Sequence, residues 1–311
     1  MIKGQQGEDF TTNGYQQTID EQAGIVPLSL ANNKGTSQFF PQTNEVHPII
    51  PIDTRQRYNL GMNPDSDNGN FNLQLINVDK YQQQWDSNKA VNITNLFPEI
   101  QANSIHDYYF NQPDDWWDLI LYPDPDFDYK QSAIDNPEYY HMYRAKTGDP
   151  SIPRREKHCR DLNDKGIFSY IYRRTNNLDL QLHSYLKLFQ DPRFINYLSK
   201  ITGYEDLQYS EGSTFISNYS SGHYNGPHTD GSNGRIAFVF HLSKDWKPEM
   251  GGLFMRMDWD WKTVNKTISP PFNTLSIFDT KWQGQEGAPH LVSEIAQGIN
   301  NKRISYTGWY K

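Results

Sequence analysis

Apolar positions are spread unevenly along the chain, and their pattern divides it. Residues 1 to about 75 are rich in Gln, Asn, Gly and Pro, with little periodicity beyond short runs such as "HPIIPI". Such a stretch buries too little apolar surface to pack by itself and reads as an irregular extension. A strand-like run, "FNLQLINV" at 71–78, opens the compact part. "FPEIQANSIHDYYF" at 97–110 has helical spacing, and "WWDLILYP" at 116–123 reads as a strand followed by a turn. A Pro-, Asp- and Tyr-rich excursion fills 123–160 as a long loop or subdomain, and "GIFSYIYRRT" at 166–175 alternates like a strand. Leu178, Leu182, Tyr185, Leu186 and Phe189 recur at helical spacing, and "DPRFINYLSKITG" continues helically to a glycine stop.

Beyond Gly203 the pattern changes to short apolar strands separated by turn signals: 213–219, 235–242, 252–257, 273–279, 288–293 and 302–310. Strands of this length and spacing point to an antiparallel barrel or jelly roll. The expected class is α+β. Residues 1–75 form the extension, and 76–311 form one domain with helical support at 95–203 and a strand-rich core at 204–311.

Composition narrows the function. Only 36% of residues are hydrophobic, and aromatics, at 14%, supply much of the core. A net charge of -8 without a Lys/Arg-rich run argues against nucleic acid as a partner. The basic stretch "PRREKHCR" at 153–160 reads as a solvated loop. The single Cys159 excludes an intrachain disulfide and a cysteine zinc site. The amino terminus has no signal-like apolar core, and no run approaches the length of a membrane span, so the expected location is cytoplasmic.

The chemistry-bearing residues gather in the strand-rich part. Within "NYSSGHYNGPHTDGSNGRIAFVFHL" at 218–242, His228 and Asp230 are two apart and share a face on an extended chain. A site for ferrous iron needs two His and one carboxylate on one side, and His290 in "EGAPHLVSEI" is the candidate third member. In "NKRISYTGWYK", Arg303 and Ser305 also share a strand face. A guanidinium grips a carboxylate through two parallel hydrogen bonds, and a hydroxyl adds a third. Tyr219, on the strand before the His-x-Asp pair, can add another or can simply pack in the core.

Taken in order, "Y-x-x-G-x-Y-x-x-x-H-x-D", "GRIAFVFHLSKDWKPEMGGLFMRM", "F-N-T-L-S-I-F", "H-L-V-x-E-I" and "R-I-S-Y-T-G-W-Y" resemble the 2-oxoglutarate- and iron(II)-dependent dioxygenases, and among them the prolyl 4-hydroxylase-like enzymes. The resemblance covers roughly residues 165–311. It implies a double-stranded β-helix (jelly-roll) core, with His228, Asp230 and His290 as iron ligands and catalytic centre. It implies Arg303 as the clamp on the far carboxylate of 2-oxoglutarate, assisted by Ser305 and Tyr219. His241 stands near where oxygen-sensing relatives have a co-substrate tyrosine, and it either replaces that hydrogen bond or packs. The implied cofactors are Fe(II), 2-oxoglutarate as co-substrate and ascorbate as reductant. The implied partners are O2 and a peptide or protein carrying the hydroxylated prolyl residue.

Two points leave alternatives open. The His290–Arg303 spacing is a few residues longer than usual in the family, through "AQGIN", so Lys302 is a rival for the clamp. No residue reads proline directly, so the same chemistry on a free amino acid or other small molecule remains, as does a binding module with an idle metal site. Zinc hydrolysis fits less well, because it leaves the Arg-x-Ser unexplained.

Overall fold

Four helices and fourteen strands make up the residues that a computed structural model describes: 77–126, 142–176, 184–230, 233–282, 285–286 and 289–311. The helices are α1 (Val78–Asn88), α2 (Glu99–Phe110), α3 (Ile152–Asn163) and α4 (Pro192–Thr202). The strands are β1 (Ala90–Thr94), β2 (Asp118–Tyr122), β3 (Tyr143–Ala145), β4 (Tyr170–Thr175), β5 (Phe215–Tyr219), β6 (Tyr224–His228) and β7 (Ile236–His241). They continue with β8 (Phe254–Met257), β9 (Val264–Ile268), β10 (Thr274–Asp279), β11 (Lys281–Trp282), β12 (Gln285–Glu286), β13 (His290–Val292) and β14 (Arg303–Tyr310). The amino-terminal extension, Leu178, Leu182 and most of the run at 71–78 lie outside the described residues.

Twelve strands form one antiparallel sheet in the order β1-β10-β7-β14-β5-β4-β6-β13-β8-β9, with β2 on β4 and β3 on β2. Curled on itself, it gives the jelly-roll core. A strict period of two decides which face each residue takes. Ile236, Phe238 and Phe240 of β7, Leu275 and Ile277 of β10, and Ile304, Tyr306 and Tyr310 of β14 join one large core cluster. The helices cover that face with Trp85 of α1, Ile105 and Tyr109 of α2, and Phe194, Leu198 and Ile201 of α4. The alternate residues of the same strands, including His241, Ser276, Arg303 and Ser305, therefore point to the opposite, inner face.

The helix ends follow ordinary capping rules. Asn77 caps α1 by accepting from Lys80 N at 3.0 Å, and Asp191 caps α4 by accepting from Arg193 N at 2.8 Å. Gly203 ends α4 at φ 72°. Several expectations are corrected here. Val78 begins a helix rather than ending a strand, because Asn77 is a cap. Residues 184–190 form a 3-10 turn, not an α-helix. The basic stretch at 153–160 is not a loop but the body of α3, which buries Arg155 and Cys159 and leaves its other charges outside. Strands β6 and β9 lie where turn-rich chain hid any apolar run. No described helix is long and apolar enough to cross a membrane.

Candidate metal and co-substrate site

The two ends of the candidate metal site meet across a strand pair. His228 closes β6, His290 opens β13, and the two are register partners. Asp230 follows His228 by two residues as the chain leaves β6. One donor atom from each of His228, Asp230 and His290 lies within 4.8 Å of the others. Asp230 Oδ1 is 3.8 Å from His228 Nε2, and Asp230 Oδ2 is 3.6 Å from His290 Nε2. The imidazole rings of the two histidines are 4.2 Å apart.

Protonation suits metal binding. His228 Nδ1 lies 2.9 Å from the Gly226 carbonyl, which only accepts, so Nδ1 carries the proton and Nε2 keeps its lone pair towards Asp230. Burial, followed by the neighbouring His290, pulls the His228 pKa down to about 4, so the ring is neutral at pH 7. Asp230 is buried, and among the described residues no Lys or Arg pairs with it. Two imidazoles and a cation-less buried carboxylate therefore form a donor set short of positive charge, which fits a divalent first-row metal.

The inner face of β14 shows the opposite deficit. Arg303 is 3% exposed, its Nε has no hydrogen-bond partner, and no carboxylate pairs with it among the described residues. Burial pulls its pKa below the usual guanidinium value, and the Tyr219 ring lies 5.1 Å from the guanidinium carbon. A buried unpaired guanidinium is short of an anion. The rival Lys302 is occupied elsewhere: its Nζ donates to the carbonyls of Phe110 at 2.8 Å and Gln112 at 3.3 Å, at and just past the end of α2.

The remaining sequence candidates surround Arg303. Tyr219 is its register partner on β5, and burial drives the phenol pKa far upward, so the hydroxyl stays protonated. Ser305 Oγ is 2.7 Å from Ser217 Oγ and 3.4 Å from Thr307 Oγ1, a set of hydroxyls on the same inner face. His241 Nε2 is 3.1 Å from Ser276 Oγ, which donates to Asn92 Oδ1 at 2.8 Å. His241 Nδ1 is buried without a partner, and burial together with Arg303 holds the ring neutral.

Family comparison now bears on this arrangement. Residues 214–311 match the model of the 2OG-Fe(II) oxygenase superfamily. This segment is similar to that superfamily. The 2OG-Fe(II) oxygenase superfamily implies Fe(II) and 2-oxoglutarate. No curated protein sequence matches the chain. Among solved structures, a Pseudomonas putida prolyl-4-hydroxylase is similar at 12% identity and TM-score 0.42, covering 75% of this chain and 98% of its own. A Burkholderia pseudomallei 2OG-Fe(II) oxygenase has 12% identity and TM-score 0.44, over 76% and 91% of the two chains. A Trichoplax adhaerens prolyl hydroxylase, solved with a hypoxia inducible factor peptide, has 14% identity and TM-score 0.42 over 75% and 88%.

One group of residues beside this site was missed in sequence. Phe168, Tyr170 and Tyr172 lie at i, i+2 and i+4, and their rings form a ladder along one face of the chain at and just before β4. Phe168 stacks on His228 at 5.5 Å and 24°, Tyr122 stacks on Tyr170 at 5.0 Å, and Tyr172 stacks on Tyr219 at 5.0 Å and 10°. The ladder runs from buried Tyr219 and Tyr172 to half-buried Tyr170, Phe168 and Tyr122 beside the His228–Asp230–His290 cluster. The alternation in "IFSYIYRRT" marked a strand, but nothing local said which face met the site.

Proposed function

We propose that this chain is a 2-oxoglutarate- and Fe(II)-dependent oxygenase that hydroxylates a C–H bond of a prolyl residue in a peptide or protein. The observation that carries the oxygenase reading is a pair of opposite buried deficits: among the described residues, Asp230 of the His–Asp–His cluster has no Lys or Arg partner and Arg303 has no carboxylate partner.

In this reading His228 Nε2, Asp230 and His290 hold the metal, and the Gly226 carbonyl keeps His228 in the ligating tautomer. A bound Fe(II) would supply the oxidative chemistry that links decarboxylation of 2-oxoglutarate to hydroxylation of the substrate. Arg303 takes the far carboxylate through its fork of N–H donors, and Tyr219, a protonated phenol, donates beside it. Ser305 lends a hydroxyl already oriented by Ser217. His241, neutral and hydrogen-bonded to Ser276, shapes the end of the pocket next to Arg303. The inner-face packing of Tyr172, Tyr219, Val292 and Ile295 keeps water from the ion pair, which strengthens it. Ascorbate acts as the external reductant that keeps the metal ferrous.

Support for a prolyl substrate is the uncharged ladder of Tyr122, Phe168 and Tyr170 beside His228, whose flat faces suit an apolar ring. The test measures succinate from 2-oxoglutarate with Fe(II), together with substrate mass. Proline peptides should gain one oxygen as succinate forms, and free proline should not. Turnover on free amino acids alone would remove the protein-hydroxylase reading and leave the oxygenase reading intact. No succinate under any of these conditions would remove both.

A further inference from the structure

The three metal-site residues sit on either side of a weak seam. The sheet order places β6, with His228 and Asp230, next to β13, with His290. β13 has three residues, and β6 meets it at only two register pairs, His290 with His228 and Val292 with Asn225. The register shifts between those pairs, and Pro227 has no N–H to contribute. On the far side β13 pairs regularly with β8 through three residues, whereas β6 meets β4 at only Asn225 and Tyr224. The ladder alone therefore holds β6 loosely against β13. A slip of one residue would turn His290 or His228 away from the other ligands.

Beyond the ladder, the chain supplies further ties. Ile295 N donates to the His223 carbonyl at 2.9 Å, and Gly222 N donates to the Ile295 carbonyl at 2.9 Å. Arg160, reaching across from α3, donates to the Gly222 carbonyl at 2.9 Å on one side of the seam and to Glu294 Oε1 at 3.2 Å on the other. Gln297 Nε2 donates to the same Glu294 oxygen at 3.0 Å. Ser221 Oγ donates to the Ala296 carbonyl at 3.3 Å and accepts from Gly298 N at 3.0 Å. Gly222 has φ +77°, and a Cβ there would lie 2.7 Å from Arg160 Nη2 and 2.9 Å from Gln297 Nε2. The glycine makes room for the Arg160 head. Residues 296–298, part of the "AQGIN" that lengthens the His290–Arg303 spacing, are the turn that returns to Ser221.

We infer that Arg160, Glu294 and the 296–298 turn form a clasp that fixes β6 against β13, making Arg160 a positioning residue for the metal site. This rests on the metal reading proposed above. The Arg160 and Glu294 side chains are 35% and 41% exposed, so the ion pair adds little to global stability. Its effect belongs in the geometry of the donor set, through the register of β6 on β13 and not through contact with a ligand.

The experiment titrates the full chain with Co(II), whose visible absorption reports ligand geometry, and records urea unfolding of the metal-free protein in parallel. Arg160→Ala should bind Co(II) about tenfold more weakly with an altered band shape, while the metal-free midpoint stays near that of the wild type. Arg160→Lys should recover only part of the affinity, because one ammonium cannot hold both Glu294 and the Gly222 carbonyl as the fork does. If Arg160→Ala fails to fold, Glu294→Gln, which removes the charge and keeps an acceptor, carries the same comparison. Equal Co(II) affinity and spectra in wild type and variant overturn the clasp alone, as does a lowered midpoint with unchanged affinity. No Co(II) uptake by the wild type overturns the metal reading and the clasp with it.

Discussion

Replacing Arg303 with Met should stabilise the empty protein and abolish its response to 2-oxoglutarate. Arg303 is buried, has no carboxylate partner among the described residues, and its pKa is depressed by that burial. An unpaired buried charge costs several kcal/mol even after relaxation. Methionine is unbranched, fills a similar channel and carries no charge. Against this gain stands loss of the contact with the Tyr219 ring at 5.1 Å, about 0.5–2 kcal/mol. The net expectation is a gain of about 1–3 kcal/mol, which for a domain of this size raises Tm by about 2–4 °C per kcal/mol. Ligand linkage runs the other way: with Mn(II) present and 2-oxoglutarate at a hundred times its Kd, the wild type should gain about 2.7 kcal/mol and Arg303→Met nothing. Thermal and urea unfolding with and without the keto acid read both quantities. A variant several kcal/mol less stable than the wild type, yet still stabilised by 2-oxoglutarate, would show that Arg303 is a paired structural residue and refute the reasoning.

Other expectations follow from single residues. Asp230→Asn should erase stabilisation by Mn(II) while leaving the metal-free protein at least as stable, since it neutralises a buried carboxylate; thermal shifts with and without metal check this. Burial lowers the His223 pKa to about 3, and its Nδ1 accepts from Ser220 N at 3.2 Å, so the folded state holds the ring neutral. The unfolded chain takes up the proton below about pH 6.5, so the stability His223 provides is complete above that pH and is lost as the pH falls towards 3. Urea unfolding at pH 7 and pH 5 should differ by about 2 kcal/mol through this group, and His223→Asn should remove that part of the difference. Gly251 has φ +74°, and a Cβ there would overlap the Glu294 carbonyl oxygen, so Gly251→Ala should cost more than about 2 kcal/mol in urea unfolding.

The strand-rich half was legible because its chemistry follows the pleat. Residues two apart share a face, so His228 with Asp230 and Arg303 with Ser305 could be paired from spacing alone, and the structure brings each pair to the inner face. The failures have a common origin in weak local signal. Helix α1 buries only Tyr81 and Trp85, too few anchors for a visible stripe, and α3 hides its helical period under charge. Strand β6 reads as turn because Gly226 and Pro227 interrupt it; its pairing with β4 and β13, not its composition, makes it a strand. The rivalry between Lys302 and Arg303 could not be settled locally. It depends on the carbonyls of Phe110 and Gln112, nearly two hundred residues away, which occupy the ammonium. The ring ladder beside His228 likewise joins β2, the chain entering β4, β5 and β6, a convergence that no single stretch displays.

The central claim is that the cation-deficient cluster and the anion-deficient Arg303 are two halves of one site, and calorimetry of 2-oxoglutarate binding with and without Mn(II) tests it most directly. A shared site requires the metal to tighten 2-oxoglutarate at least about tenfold, a coupling of about 1.4 kcal/mol, and requires the keto acid to tighten Mn(II) by the same factor. The account predicts that coupling in the wild type and its disappearance in Asp230→Asn. Equal affinity for 2-oxoglutarate with and without metal would contradict it.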